Sequence, residues 1–442
     1  MLTVSDQYKI AIDKDTRRIT PKVLVYFGEI PTEFTGDEIV SLNLLEEAKA
    51  DTESPLGAIS SNEITITFDN TDHYFTPTND ASPYYNLLKP NTKVEAFLNV
   101  EIAPNTFEEI PLGTFFTAEW SEGTVTGYDM LYALGGIDVP MIKTEEDITV
   151  GIMIAALFDA LGVANYSIDS ALDQSIKIGW YPKATAQQAL QTLCVAGNCS
   201  INVDRNGSAK ASANATSGTA VTTMTDNNQI LYAKNPQKYF DIYNAIKLTY
   251  CRPRLGERET ILSLDDVEID AGGSIIDKTD FSGAPIGRVE RVSIKGRTDS
   301  DIDTIAYDAW SVVIDTVNPG DDETVNIEAK GYPLNINYRD KIVQDSALIA
   351  EWGLKELAVQ NDLIQNGTVA RIYAEALLAL VSDPFRDFEL EVRGNPALEI
   401  GDIVNISDPT DKIPTTDIVV ERITLDYDGG LSGTIKGRRV AG

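Results

Sequence analysis

The sequence predicts a mainly β protein with an α+β insert. It expects two β modules, one at each end, a small α+β unit after the first, and an additional β domain before the second. Three observations carry this. Runs alternating apolar with polar, the mark of half-buried strands, fill both ends of the chain. Helical spacing takes over only around Val150 to Leu161, Thr185 to Cys194 and Ser346 to Ser382. One pattern occurs twice. At 442 residues the chain is also too long for one ordinary core, and two to four domains are expected. The divisions fall at residues 1–145, 146–233, 234–345 and 346–442.

The front copy of the repeat reads Asn62-Glu63-Ile64-Thr65-Ile66-Thr67-Phe68, then Leu88 to Ala96, then Gly123-Thr124-Val125-Thr126-Gly127. The rear copy reads Asp387-Phe388-Glu389-Leu390-Glu391-Val392, then Leu398 to Ile406, then Gly433-Thr434-Ile435-Lys436-Gly437. Each is an alternating strand, a tight turn into a second strand, and a closing strand flanked by glycines. Unrelated hairpins share the period-two alternation, so alternation alone does not make a repeat. Two related modules in one chain let a protein imitate two subunits of a symmetric ring.

Taken in order, Lys22 to Phe27, Glu38 to Leu44, Glu63 to Phe68, Lys93 to Val100, Phe115 to Trp120 and Thr124 to Thr126 read as strands of the first module. Asp69 to Pro77 is a polar and aromatic turn region, and Asp129 to Leu134 a short helical turn. Val150 to Leu161 is a helix with Gly162 as its C-cap. Thr185 caps a second helix running to Cys194. Asp204-Arg205-Asn206-Gly207 joins two strands, and Asn-Gly there is a strong hairpin signal. Ser212 to Asn228 reads as a surface loop. Asn244 to Tyr250 is a strand, and Val267 to Lys330 is the additional β domain. Ser346 to Gln365 and Thr368 to Ser382 read as helices broken at Asn366-Gly367, with their apolar face on the neighbouring β module.

Composition excludes several functions. The net charge of −32 repels polyanions, and the basic clusters are as short as Arg252-Pro253-Arg254, so sequence-specific nucleic-acid binding is not expected. No apolar run reaches a membrane span, and no secretory signal precedes Ser5, so no membrane partner is expected. Three cysteines, Cys194, Cys199 and Cys251, fit a reducing compartment better than a disulfide scaffold. The single histidine, His73, has no local catalytic partners. Carboxylate pairs such as Glu145/Glu146, Asp265/Asp266 and Asp321/Asp322 sit in polar surroundings and read as solvated or capping groups. Asp301-Ile302-Asp303 and Asp426-Tyr427-Asp428-Gly429 lack the rest of a calcium loop. No catalytic, metal or cofactor site is therefore expected.

Several stretches carry a resemblance to a family. Asn62 to Phe68, Tyr84 to Val94 and Pro111-Leu112-Gly113-Thr114-Phe115-Phe116 resemble the first tube-like domain of the baseplate hub, or tube-initiator, proteins of phage tails and contractile injection particles, as in T4-like and Mu-like phages. The two-helix segment ending at Asp204 to Gly207 is similar to the small domain that follows it. Gly394-Asn395-Pro396-Ala397-Leu398-Glu399-Ile400-Gly401-Asp402 resembles the entry to the second tube-like domain. The match covers about three quarters of the chain and is poorest from residue 255 to 340.

The resemblance implies two tube-like β-barrel or sandwich modules. It implies a homotrimer presenting six modules in a ring, and a non-enzymatic place in the virion tail baseplate after assembly in the bacterial cytoplasm. The implied partners are the tail tube protein, the spike protein, baseplate wedge proteins and the tape measure protein. Three copies of −32 sum to roughly −96, which would repel DNA from a lumen. Ring contacts are expected on strand edges and turns at Thr65, Thr67, Lys93, Glu95, Glu389, Glu391, Arg393, Asp402 and Asn405. Two other readings compete. One is a peptidoglycan or polysaccharide hydrolase, although no separate catalytic domain is expected after the rear module. The other is a carbohydrate-binding adhesin using Trp120, Trp180, Trp310 or Trp352, of which Trp120 and Trp352 fit core packing better.

Overall fold

A computed structural model describes residues 1–48, 57, 59–214, 218–236, 242–269, 275–283, 285–295, 302–316, 321 and 323–440. Asp301, Asp322 and residues 215–217 of the expected loop lie outside the described residues. The chain is mainly β, as the alternation predicts.

The front begins with helix α1 (Asp6–Ile12), capped by the Ser5 hydroxyl, which accepts from the Tyr8 amide at 3.0 Å. Strands β1 (Ile19–Val25), β2 (Thr32–Thr35), β3 (Ile39–Glu47), β4 (Glu63–Phe68), β5 (Lys93–Ala103), β6 (Thr106–Ser121) and β7 (Thr124–Tyr128) follow. Alternation buries Ile64, Ile66 and Phe68 of β4 and leaves Glu63, Thr65 and Thr67 on the other face. β6 starts nine residues before the expected Phe115 because its first half is the antiparallel partner of β5. The aromatic turn region folds back so that Phe75 stacks on Phe68, with ring centroids 4.4 Å apart, and closes that end of the core.

The small unit comprises α2 (Met130–Ala133), β8 (Glu145–Thr149), α3 (Val150–Ala160), β9 (Tyr166–Ile168), β10 (Ser175–Gly179), α4 (Ala186–Gly197), β11 (Cys199–Val203) and β12 (Ala209–Ala213). Thr185 caps α4 in a full capping box with Gln188. One strand then corrects the expected surface loop from Ser212 to Asn228, and a second follows it. β13 (Thr222–Thr225) pairs parallel with a strand of the rear module, and β14 (Ile230–Lys234) pairs antiparallel with another. Neither short sequence, Thr-Thr-Met-Thr or Ile-Leu-Tyr-Ala-Lys, carries clear alternation, and partners distant in sequence decide their state.

The remaining elements are β15 (Ala245–Leu255), β16 (Glu259–Ile269), β17 (Ile275–Asp280), β18 (Ile286–Ile294), β19 (Ile302–Tyr307), β20 (Ser311–Thr316), β21 (Glu323–Gln344), α5 (Ser346–Trp352), β22 (Glu356–Asn361), α6 (Gly367–Val381), β23 (Asp387–Val392), β24 (Ile403–Asp408), β25 (Ile413–Tyr427) and β26 (Leu431–Arg439). The expected helix from Ser346 to Gln365 ends at Trp352. Gly353 (φ 74°) turns the chain, and residues 356–361 add to β15 as a parallel strand. Leu354, Leu357 and Ala358 keep the helical spacing while Leu357 and Val359 alternate as a strand does, and the ladder of β15 decides between them. Nor does α6 lie on the rear module. Its face, Tyr373, Ala374 and Leu377, packs on β15 and β21 and shares one core with residues of α3 and α4 and with Ile246 and Leu248.

One sheet joins both ends of the chain in the order β14-β23-β26-β25-β3-β4-β7-β6-β5-β1-β2, with β24 and β13 branching from β25. Front and rear modules share a single hydrophobic core, which includes Ile66 and Leu98 from the front and Leu390, Ile406 and Ile423 from the rear.

Candidate functional site

The repeat is present at the level of register. In the front copy β4 and β7 pair as Ile64↔Gly127, Thr65↔Thr126, Ile66↔Val125 and Thr67↔Thr124. In the rear copy β23 and β26 pair as Phe388↔Gly437, Glu389↔Lys436, Leu390↔Ile435 and Glu391↔Thr434. Irregularities repeat as well. β3 shifts register between Ile39 and Ser41 against β4, and β14 shifts between Ile230 and Tyr232 against β23. β6 bulges between Thr117 and Glu119, and β25 between Val420 and Arg422. Gly127 and Gly437 sit opposite these last bulges. A Cβ on Gly127 would lie 3.2 Å from the Phe116 carbonyl oxygen, and one on Gly437 would lie 2.9 Å from that of Val419. The strand opposite comes too close for a side chain, which explains why both copies carry glycine there.

Between the copies runs a continuous joint. β25 pairs with β3 from Arg422↔Glu47 to Tyr427↔Leu42, so the rear hairpin extends the front sheet without a break. Carried through the repeat, β3 corresponds to β14 and β25 to β6. Among the described residues no strand pairs with the outer edge of β14, where the Ala233 amide donates to the Asp411 carboxylate at 3.1 Å. β14 is the terminal strand of the sheet, and the end of β6 from Ala118 to Ser121 outruns its partner β5, whose pairing stops at Phe116. Each chain thus holds one completed joint, and the repeat would set the end of β6 against Pro236 and the residues after it, of which 237–241 lie outside the described residues.

Seven of the nine expected contact residues lie on strands flanked on both sides, while Arg393 and Asp402 lie in the turn segment between β23 and β24. Thr65 and Thr67 are on β4, between β3 and β7, and Lys93 and Glu95 are on β5, between β1 and β6. Glu389 and Glu391 are on β23, between β14 and β26, and Asn405 is on β24, between β13 and β25. Alternation reveals which face a residue occupies but not which strands flank it, and the flanking strands come from distant sequence. Several of these side chains are engaged within the chain. Glu95 accepts from Lys93 at 2.7 Å and from the Tyr26 hydroxyl at 2.8 Å, and Glu389 pairs with Lys234. Arg393 donates to the carbonyls of Lys14 at 2.5 Å and Asp15 at 2.7 Å, Asp402 pairs with the amino group of Met1, and Asn405 donates to Asp417 at 2.6 Å. Thr65 and Thr67 face Thr126 and Thr124 on the outer face at 3.4 and 3.3 Å.

Two buried charges that sequence reasoning missed fasten the modules. Arg205, at the tip of the β11–β12 hairpin, is buried between front and rear. Its Nε and Nη2 donate to the Glu46 carboxylate at 3.0 and 2.7 Å, and it also donates to the carbonyls of Leu398, at 2.7 Å, and Pro396. Burial opposes its charge, and the Glu46 carboxylate more than restores it, so its pKa stands above the ordinary arginine value. The turn sequence Asp204 to Gly207 announces a hairpin and nothing about where its tip docks. Asp129 accepts from the amides of Asn62, at 2.8 Å, and Leu131, at 2.9 Å, where the front module hands over to α2. Burial pushes its carboxyl up to about 7 despite those two bonds.

Other candidate chemistry is dispersed. His73 is exposed in a loop at φ 57°, with its carbonyl accepting from Asn79. Among the described residues no three His, Cys, Asp or Glu side chains gather as a metal would need. Trp180 and Trp310 meet in the wall of a groove of about 520 Å³ between the small unit and the additional β domain. Trp180 is buried, and the Trp310 indole N–H is spent on the Tyr181 carbonyl at 2.8 Å, so both pin that junction. Trp120 is buried beside Phe68 and Phe75.

No family model matches this chain, and no curated protein matches it in sequence. Solved structures do match. The fold is similar to a tail protein from Neisseria meningitidis MC58, with TM-score 0.54 and 10% identity over 95% of this chain and 96% of that one. It is also similar to a 43 kDa tail protein of prophage MuSo2 from Shewanella oneidensis, with TM-score 0.52 and 11% identity over 94% and 98% of the two chains. The expected resemblance holds at the level of fold along nearly the whole chain.

Proposed function

We propose that this chain is a structural, non-enzymatic baseplate hub protein of a phage tail or contractile injection particle. In this reading residues 1–145 and the rear module are tube-like units, and three chains close six of them into a pseudo-sixfold ring joining a tail tube to a spike. Baseplate wedge and tape measure proteins are further partners of the same reading. The observation that carries it is the completed β3–β25 joint, together with the two strand edges, of β14 and the end of β6, that the repeat makes its counterparts. An open strand edge is a template for association. A heterologous contact closes into a ring when its rotation closes. Three chains would then contain three joints within chains and three between them. The face carrying Thr65, Thr67, Glu389 and Glu391 would line the passage. Its polar, partly acidic surface suits cargo that must slide without sticking.

The test is disulfide trapping. The repeat sets Ser121 against Thr424 and Pro236 against Leu45, and Thr424 and Leu45 pair in the existing joint. The Ser121→Cys/Pro236→Cys variant is expected to give covalent trimers on oxidation, matched by a trimeric mass in light scattering. Only monomers, with or without oxidant and at every concentration tried, would refute the ring.

A further inference from the structure

Arg252-Pro253-Arg254 is a basic stretch on a chain whose carboxylates outnumber its lysines and arginines 68 to 36. Alternation along β15 turns Tyr250, Arg252 and Arg254 to one face, and Arg339 of β21 stands directly across from Tyr250 on that same face. The three arginines are exposed, and among the described residues none of them makes an ion pair. Like charges on one face of a ladder repel one another. With carboxylates in such excess, a partner for each arginine would be the ordinary outcome. A cluster left without one points to an anion from outside the chain.

The same face meets the start of α6. Asn366 caps this helix, its side chain accepting from the Thr368 amide at 2.8 Å, and the Ala370 amide donates to the Asn366 carbonyl at 2.8 Å. Among the described residues the amides of Gly367 and Val369 have no acceptor. A Cβ on Gly367 would lie 2.8 Å from the Tyr250 hydroxyl oxygen and 3.9 Å from Arg252 Nη2. The missing side chain therefore leaves both groups against the first turn of the helix. Tyr250 is 7% exposed, and its hydroxyl has no hydrogen-bond partner among the described residues. Buried polar groups are ordinarily paired, so this hydroxyl is a second sign of a ligand. The aligned peptide dipoles of α6 add about half a positive charge at this point. Water would satisfy the two amides, but it would leave the gathered positive charge uncompensated.

We propose that the start of α6, together with Tyr250, Arg252 and Arg339, binds a phosphate group. The Gly367 and Val369 amides and the Tyr250 hydroxyl donate to its oxygens, and the Arg252 guanidinium pairs with its charge. Arg339 and Arg254 add positive potential around it. A phosphate offers oxygens in several directions to donors arriving from both helix and strand, whereas a carboxylate offers two in one plane. The net charge of −32 does not forbid this, because at physiological ionic strength exposed charges more than about 8 Å away are largely screened. Bound there, the phosphate ties α6 to β15 and offsets the repulsion among the arginines. Every residue of the site belongs to one chain, so the inference does not depend on the ring reading.

The probe is inorganic phosphate, titrated calorimetrically into the full chain, with hydrogen exchange followed in peptides covering the first turn of α6. Binding with a Kd of about 1 mM or tighter is expected, with slower exchange at Gly367 and Val369. Arg252→Met should weaken binding about tenfold or more, and Tyr250→Phe, which keeps the ring and deletes the hydroxyl, about threefold or more. Gly367→Ala sets a methyl group against that hydroxyl and should abolish binding. Arg258→Met, at an exposed arginine already paired with Glu290, should bind as wild type. A second titration with glycerol phosphate separates two sources of the group. Equal affinity assigns the site to a phosphoryl end of a larger molecule, and binding of inorganic phosphate alone assigns it to the free ion. Absence of binding at about 10 mM phosphate overturns the inference. So does binding that Arg252→Met and Tyr250→Phe both leave unchanged, because the anion then sits elsewhere.

Discussion

Removing the guanidinium of Arg205 tests how the three modules are held together. Arg205→Met keeps the stem and deletes the charge. The Glu46 carboxylate, 4% exposed, would then lie between two modules without its counter-charge, and the Leu398 carbonyl would lose its donor. Breaking a buried ion pair from one side costs about 3–5 kcal/mol, and an orphaned buried carbonyl about 1–3 kcal/mol more. Replacing both partners, as Arg205→Met with Glu46→Leu, removes the stranded charge and should recover most of the loss, leaving the carbonyl cost. A chain with several hydrophobic cores does not unfold as one unit, so a single melting temperature is a poor reporter. Hydrogen exchange in peptides covering residues 44–47, 204–207 and 396–398 reads the junction itself. The single variant should accelerate exchange in all three segments by two or more orders of magnitude, and the double variant by far less. Because the pair is buried, added salt should change little. Unaltered exchange in the single variant, or a double variant as damaged as the single, would refute the reasoning.

Asp129 makes a pH-dependent contribution. Its folded pKa, about 7, lies above the ordinary carboxyl value of 3.8, so the folded state holds its proton more tightly than the unfolded chain. That stability is fully present below the ordinary value and is lost as pH rises through about 7, amounting to about 4 kcal/mol in all. Urea midpoints of the wild type should fall between pH 5 and pH 8, and Asp129→Asn should flatten that fall; equal slopes would remove Asp129 as the cause. Thr185→Ala removes a capping box and should cost about 1 kcal/mol, seen as faster exchange at Ala186 to Gln188 with α3 unaffected. No change in exchange at those amides would mean that packing, not the cap, holds the first turn of α4.

Much of the architecture was legible because local chemistry enforces it. Strands with strict alternation, such as Glu63 to Phe68, must turn one face inward whatever their neighbours. Thr185 and Asn206-Gly207 mark a helix start and a hairpin through hydrogen bonding and backbone sterics acting within a few residues. The glycines that flank the closing strands exposed the repeat, and for Gly127 and Gly437 the fold supplies the reason in the bulges opposite them. Residues 353–365 depart from the expected helix because Leu354, Leu357 and Ala358 keep helical spacing while Leu357 and Val359 alternate, and the choice belongs to the edge of β15.

The candidate interface was less legible. The sequence alone determined the β class, the duplication, the acidic character and the absence of a recognisable catalytic motif. Tertiary structure decided that Thr65, Lys93, Glu389 and Asn405 lie on flanked strands, and that among the described residues no strand pairs with the outer edges of β14 and the end of β6. It also decided that Arg205 is buried between modules and that Tyr250 and Arg252 meet the start of α6. The division has one physical cause. Side-chain alternation and capping are set by a residue and its near neighbours. A strand's flank and a charge's counter-ion are set by segments hundreds of positions away, brought together when one core closes over both copies.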